Sequence, residues 1–466
     1  MRLRPALDRF VGALCRFVLG LFYRRVEVVG RDRLPPGPKI VVANHVNGLI
    51  DPLFVFGPLR LPARTLGKST LWRIPILRQL LDLAGVIPVY RRQDEGADTA
   101  RNRETFARSV EELARGATLA IFPEGISHDR PRLQPLRTGA ARIALEAELE
   151  RGPLGLRIVP VGLVFEERGT FRSRALVVVG DPIDPAPEVA AARGDGTDAG
   201  GGAEVAAARA LTARIATALE RVTLNYRSWD EARWIEVGAD LFERERLDLP
   251  RQRRLSAEFL VRRSLAQGLE ALRERHPEEI AATIAAIRDY DRLLATCGLR
   301  DEQVVSRYPP GPALSFAMQT LLRILVAAPV AAVGVVANLP PYLIVAAIAT
   351  RVEETPDQVA TYKLFPSLLA YPGAWLAEAL VAGWALGLAS GLAVAAVAPL
   401  AGFVALRFGE RSETLWRETR AWLLLRRRGR IAAELRARRV VVERHIEGLV
   451  ERWRALQPPA ESSSRA

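Results

Sequence analysis

Apolar positions along this chain fall into three regimes. Between about residues 26 and 225, short apolar runs of strand length alternate with stretches of helical period. Runs at 40–43, 85–90, 158–162 and 175–180 are rich in Val and Ile, and each is bounded by Gly, Pro or polar residues, as buried strands are. Residues 100–115, 139–150 and 203–222 carry apolar positions at helical spacing instead. The alternation predicts an α/β domain, a central sheet flanked by helices.

From 226 to 313 the chain is polar and helix-patterned, a helical insert in which no chemistry is legible. Residues 314–408 differ in kind. The run 324–337 is uninterrupted apolar sequence, broken by Asn338-Leu339-Pro340-Pro341 and resumed at 342–349. Residues 367–406 hold one acidic residue, Glu378, amid repeated Gly and Ala. That length accommodates two spans of about 20 residues, and Gly383, Gly387, Ser390 and Gly391 suit close helix contact in lipid. The break at 338–341 is expected to be a turn between two short spans or a re-entrant kink. Residues 1–25 form an interfacial amphipathic helix in this reading, because Arg16 interrupts an apolar stretch too short to span. The tail, 409–456, is basic and helical, and would lie along headgroups or form a helical pair. Residues 457–466 are expected to be disordered.

Charge narrows the partners. Lys and Arg total 66 against 53 Asp and Glu, a net charge of +13. Such a balance calls for an anionic partner. No recognition helix, zinc finger or aromatic-studded RNA-binding motif is present, so an anionic membrane surface is expected and nucleic acid is not. Eight arginines between 407 and 430 mark the flank after the apolar region as cytoplasmic. A catalytic domain supplied with cytosolic donors would share that side, so the count of spans should be even, two or four. Four scattered histidines and two distant cysteines, Cys15 and Cys297, offer no metal-ligand spacing. No metal and no cofactor is expected.

The chemistry concentrates where the first of these runs ends. Residues 44–51 are Asn-His-Val-Asn-Gly-Leu-Ile-Asp. His45 could take a proton from an alcohol, and Asp51 could fix its tautomer and steady the imidazolium. Six residues along a helix would set the two side chains about 120° apart. They can meet only if a loop carries His45 and Asp51 stands near the next helix start. The plain alternative is a strand-end histidine beside an N-cap aspartate that precedes Pro52.

Three further blocks follow in order. They are Gly85-Val86-Ile87-Pro88-Val89-Tyr90-Arg91, then Ile121-Phe122-Pro123-Glu124-Gly125, then Ile158-Val159-Pro160-Val161-Gly162. With Lys68-Ser69-Thr70-Leu71 and Leu136-Arg137-Thr138-Gly139 between them, these blocks resemble the four motifs of the glycerolipid acyltransferase family, over about residues 26–225. The five-residue gap between His45 and Asp51, one longer than in most members, resembles a glycerol-3-phosphate acyltransferase subgroup.

The resemblance implies an O-acyltransferase that moves a fatty acyl group from acyl-CoA or acyl-carrier protein to glycerol-3-phosphate or 1-acylglycerol-3-phosphate. It implies His45 as base, Asp51 as its orienting partner, Arg91 with Glu124 and Gly125 at the acceptor phosphate, and Pro160 near the acyl or acceptor pocket. Glu124 would repel a phosphate directly, so orienting donors or accepting a hydroxyl suits it better, while Gly125 would let main-chain amides approach. Lys68, one of only three lysines, is a candidate phosphate ligand. His128 is read as a polar loop histidine, with a place at the border of the acceptor site as the other reading. Other readings are a phospholipid-remodelling transacylase and an inactive membrane scaffold. A serine hydrolase is disfavoured, since no Gly-x-Ser-x-Gly occurs.

Overall fold

A computed structural model of the chain describes residues 4–90, 101–193, 202–246, 254–305, 310–351 and 356–456. Arg91, the Gly-rich stretch from 194 and the tail 457–466 lie outside the described residues. The chain divides into two units. The first holds residues 1–227 with two short returning segments, 253–259 and 353–361.

In chain order this unit runs α1 (Arg4–Phe22), β1 (Arg25–Val29), β2 (Lys39–Ala43), α2 (Asp51–Phe56), β3 (Ala63–Lys68), α3 (Pro75–Ala84) and β4 (Ile87–Val89). It continues with α4 (Asn102–Ala114), β5 (Thr118–Ile121), α5 (Gly139–Glu150), β6 (Arg157–Phe165), β7 (Arg174–Val179), α6 (Ala186–Arg193) and α7 (Gly202–Val222). Seven strands form one mixed sheet in the order β1-β7-β6-β2-β5-β3-β4. Strands β6, β2, β5, β3 and β4 run parallel, while β7 is antiparallel to β6 and β1 follows β7. The α/β expectation therefore holds. Strands β1, β3 and β5 are additions: charged positions mask the first two in the sequence, and β5 is only four residues long.

The period-2 rule explains the packing. Ile40 and Val42 of β2 share a face with Leu119 and Ile121 of β5, and bury against Ile143, Ala144, Leu211 and Ile215 of α5 and α7. Fully buried strands on both sides read as continuous apolar runs, which is why β2 has no alternation to show. Gly162 lets α7 approach β6, since a Cβ there would stand 1.7 Å from the carbonyl oxygen of Val222.

Helix α1 packs one face on the domain. Cys15, Val18, Leu19 and Phe22 are buried within this unit, and Asp8 pairs with Arg64 at 3.2 Å. Its other face leaves Phe10, Leu14, Phe17 and Leu21 exposed, an apolar stripe at helical spacing. The returning segment 253–259 is tied to β1 by Glu27. That carboxylate accepts the N–H of Leu255 and Ser256 and the Ser256 hydroxyl at 2.8–3.2 Å.

The second unit contains α8 (Trp229–Arg246), most of α9 (Leu255–Leu272), α10 (Pro277–Cys297), α11 (Asp301–Val305), α12 (Pro310–Thr350), most of α13 (Val359–Leu386), α14 (Leu388–Arg427) and α15 (Gly429–Leu456). Val237, Leu241, Ile287, Leu294, Leu435, Val442 and Ile446 form its core. The basic tail thus has an apolar face of its own, and α15 spends it against α8 and α10. The hydroxyl of Tyr290 donates to Asp301 at 2.6 Å, and Arg439 donates to the same oxygen at 3.0 Å.

Among the described residues, three helices are long and apolar enough to cross a membrane: Leu325–Thr350, Val359–Leu386 and Leu388–Arg427. By length and apolarity they number three, where two or four spans were expected. The run 367–406 does divide, at Gly387 with its positive φ of 94°. The 338–341 break does not interrupt α12 at all. Asn338 keeps its amide on the chain, donating to the carbonyl of Gly334 at 2.8 Å, and its side-chain oxygen accepts from Trp375 of α13 at 3.0 Å. Gly334 and Gly402 then set α12 against α14, since a Cβ on either would collide with Ala401 or Asn338.

Candidate active site

The parallel strands place their carboxyl ends on one edge, where open α/β sheets present their chemistry. His45 lies just beyond β2, Glu124 just beyond the adjacent β5, and Lys68 ends β3, next in the order. Asp51 opens α2, with Pro52 in its first turn. Between them, residues 48–50 make a short 3-10 turn in which Gly48 takes a φ of 52°. That turn absorbs the longer gap. A segment of the returning chain covers it, with Leu49 donating its N–H to the hydroxyl of Thr361 at 3.2 Å.

The pair meets as the spacing required. Nδ1 of His45 stands 2.9 Å from Oδ2 of Asp51, whose side chain is fully buried. The same oxygen accepts the N–H of Val46 and Asn47, each at 2.8 Å. An ionised carboxylate only accepts, so Nδ1 carries the proton and Nε2 keeps its lone pair. The imidazole stacks on Phe122 at 4.5 Å, and Nε2 has no protein partner among the described residues. A neutral imidazole so held is equipped to remove a proton.

Glu124 has a different setting from the acceptor contact expected of it. It is 3% exposed. Oε1 accepts the main-chain N–H of His45 at 2.8 Å, while Oε2 accepts the N–H of Gln134 at 2.7 Å and lies 2.5 Å from Nε2 of His128. Of its two candidate tasks, orienting donors is the one this geometry contains. Gly125 takes φ 73° and donates its N–H to the Phe122 carbonyl within the turn at 3.0 Å, so that amide is spent rather than offered to an anion. Its missing side chain instead makes room for Arg137, whose Nε would stand 2.6 Å from a Cβ.

Pro160 lies within the sheet. It is buried inside β6, paired with Val42 and packed on Gly180, rather than brought to His45. The fourth block reaches the site through Leu163, whose main-chain N–H and carbonyl both bond the amide of Asn44 at 2.7 and 3.0 Å.

Several supports escaped the sequence. Asn44, Phe122, Ser127 and His128 all stood inside or beside the quoted blocks, but nothing in their spacing showed whom they touch. Ser127 accepts the N–H of Gly48 at 3.1 Å. Tyr23, at the end of α1, accepts from Asn47 at 2.8 Å. Burial pushes the Tyr23 phenol far above its ordinary value, and the charge on Asp51 adds to the shift. Among the described residues no cluster of His, Cys, Asp or Glu is arranged to hold a metal ion.

Residues 25–164, which hold this constellation, match the acyltransferase family model. Residues 235–455 match a second one, the glycerol-3-phosphate acyltransferase 2 C-terminal domain, so two separate stretches of the chain are similar to glycerolipid acyltransferases. Glycerol-3-phosphate O-acyltransferase 2 of Saccharomyces cerevisiae is 30% identical over 209 residues, 45% of this chain and 26% of that protein. A chloroplastic 1-acyl-sn-glycerol-3-phosphate acyltransferase of Brassica napus is 25% identical over 34% of this chain and 46% of its own. The chain thus spans about a quarter to a half of the relatives' own lengths. The 1-acyl-sn-glycerophosphate acyltransferase PlsC of Thermotoga maritima aligns with 19% identity and a TM-score of 0.31, over 47% of this chain and 79% of that one.

Proposed function

We propose that this chain is a membrane-associated O-acyltransferase that acylates a hydroxyl of glycerol-3-phosphate, with 1-acylglycerol-3-phosphate as the alternative acceptor. The observation that carries the reading is the His45–Asp51 pair with Nε2 left open. Nε2 takes the acceptor's hydroxyl proton as its oxygen attacks the thioester carbonyl of acyl-CoA or acyl-carrier protein. The new C–O bond forms, the C–S bond breaks, and the imidazolium returns its proton to the leaving thiolate. Asp51 steadies the imidazolium between those events.

The C-terminal domain match favours glycerol-3-phosphate as acceptor. Lys68, at the strand end beside the site, and Arg91 supply cations for its phosphate in this proposal. The three apolar helices and the exposed stripe of α1 support work at a bilayer, with basic charge toward anionic headgroups on the cytoplasmic face.

Acyl transfer by purified chain in lipid, offered radiolabelled acyl-CoA or acyl-carrier protein with each acceptor in turn, tests the reading. Labelled 1-acylglycerol-3-phosphate should form from glycerol-3-phosphate. Product from neither acceptor would overturn it.

A further inference from the structure

We propose that His128 is a positioning residue for the reaction, acting through Glu124 on the main chain of His45. The proposal rests on the acyl-transfer reading only for its kinetic consequences. His128 is buried, and both of its ring nitrogens are engaged. Nδ1 accepts the N–H of Arg130 at 3.1 Å, so the proton resides on Nε2, which donates to Glu124 Oε2 at 2.5 Å. Its own main-chain N–H donates to the carbonyl of His45 at 3.2 Å. Glu124 completes the loop by accepting the N–H of His45. The base is therefore gripped at both main-chain groups by the β5 loop, while Asp51 grips its ring.

A carboxylate with no solvent needs its donors. Two of the three are main-chain N–H groups that side-chain changes other than proline leave in place, so His128 is the one side chain that helps fix where Glu124 points. Without it, Oε2 keeps only the N–H of Gln134, and Glu124 holds the His45 N–H less rigidly. Misplacement of a base by about 1 Å costs on the order of 100-fold in rate.

The test compares His128→Phe with His128→Gln in the full chain, the glutamine keeping an N–H donor near the Nε2 position. His128→Phe should lower kcat by about 10- to 100-fold with KM for acceptor and donor within about threefold, and His128→Gln should recover most of it. Hydrogen exchange read on the peptide covering 44–51 should quicken in the Phe variant and not in the Gln variant. That readout needs no turnover, so it decides the positioning role even if wild type transfers no acyl group. A Phe variant with unchanged exchange at 44–51, or with kcat within threefold of an active wild type, would overturn the proposal. So would a merely structural loss, in which kcat per folded molecule stays constant and only the unfolding temperature falls.

Discussion

Oε1 of Glu124 accepts the main-chain N–H of His45 at 2.8 Å across 79 positions of sequence. One carboxylate thereby joins the loops that follow two adjacent parallel strands. Glu124→Ala would strand three donors in a buried site. It should cost about 1–3 kcal/mol per unmade bond as an upper bound and lower kcat at least tenfold. Thermal unfolding and steady-state kinetics on the same preparation check both.

Asp51→Asn separates charge from tautomer. An amide oxygen at the Oδ2 position would keep its three donors, but its NH2 would replace Oδ1, which is buried without a partner. The variant should fold with a modest loss of stability and lose about 10²- to 10⁴-fold in kcat, because the imidazolium is no longer neutralised. KM for the acceptor should change little. A fall confined to KM would contradict the assigned role.

Gly125→Ala tests the turn. Alanine at φ 73° costs about 1–2 kcal/mol, and Arg137 must move to admit its Cβ. Chemical denaturation should show that loss without a change in slope.

Glu27 governs an acid limb of stability. Burial pushes its carboxyl up, but the Ser256 hydroxyl, the N–H groups of Leu255 and Ser256 and the Arg25 charge outweigh it and hold the group below its ordinary value. A depressed folded-state value adds stability that is full above the unfolded value and lost as pH falls through the folded one. Glu27→Gln should therefore unfold more easily than wild type at pH 7, and the gap should close as pH falls below about 4. Melting curves across pH 3 to 7 (roughly one unit apart) show it.

Cys15 should resist alkylation at neutral pH while the domain is folded. Burial pushes its thiol up to about 11, only partly offset by Arg16. Labelling that appears only with denaturant is the expected outcome.

Local patterns made much of this legible. Runs of Val and Ile marked β2, β6 and β7, and helix α5 falls on residues 139–150 as the periodicity placed it. The six-residue step from His45 to Asp51 excluded a regular helix and so required the loop that is found. Contacts across long separations were not legible. Nothing in one chain's sequence pairs Asn44 with Leu163 or Glu124 with both His45 and His128, because those pairings arise from strand order. The helix through Pro340 and Pro341 was missed for a different reason. Proline is a strong breaker in water, whereas here neighbouring apolar helices pack on this stretch, Trp375 of α13 donating to Asn338.

The most direct measurement is the turnover number of His45→Ala, with acyl-CoA and glycerol-3-phosphate at saturation in lipid. An imidazole that carries the acceptor's proton predicts a fall of about 10³-fold or more, with acceptor affinity largely kept. Transfer by that variant at a rate near wild type would contradict the account.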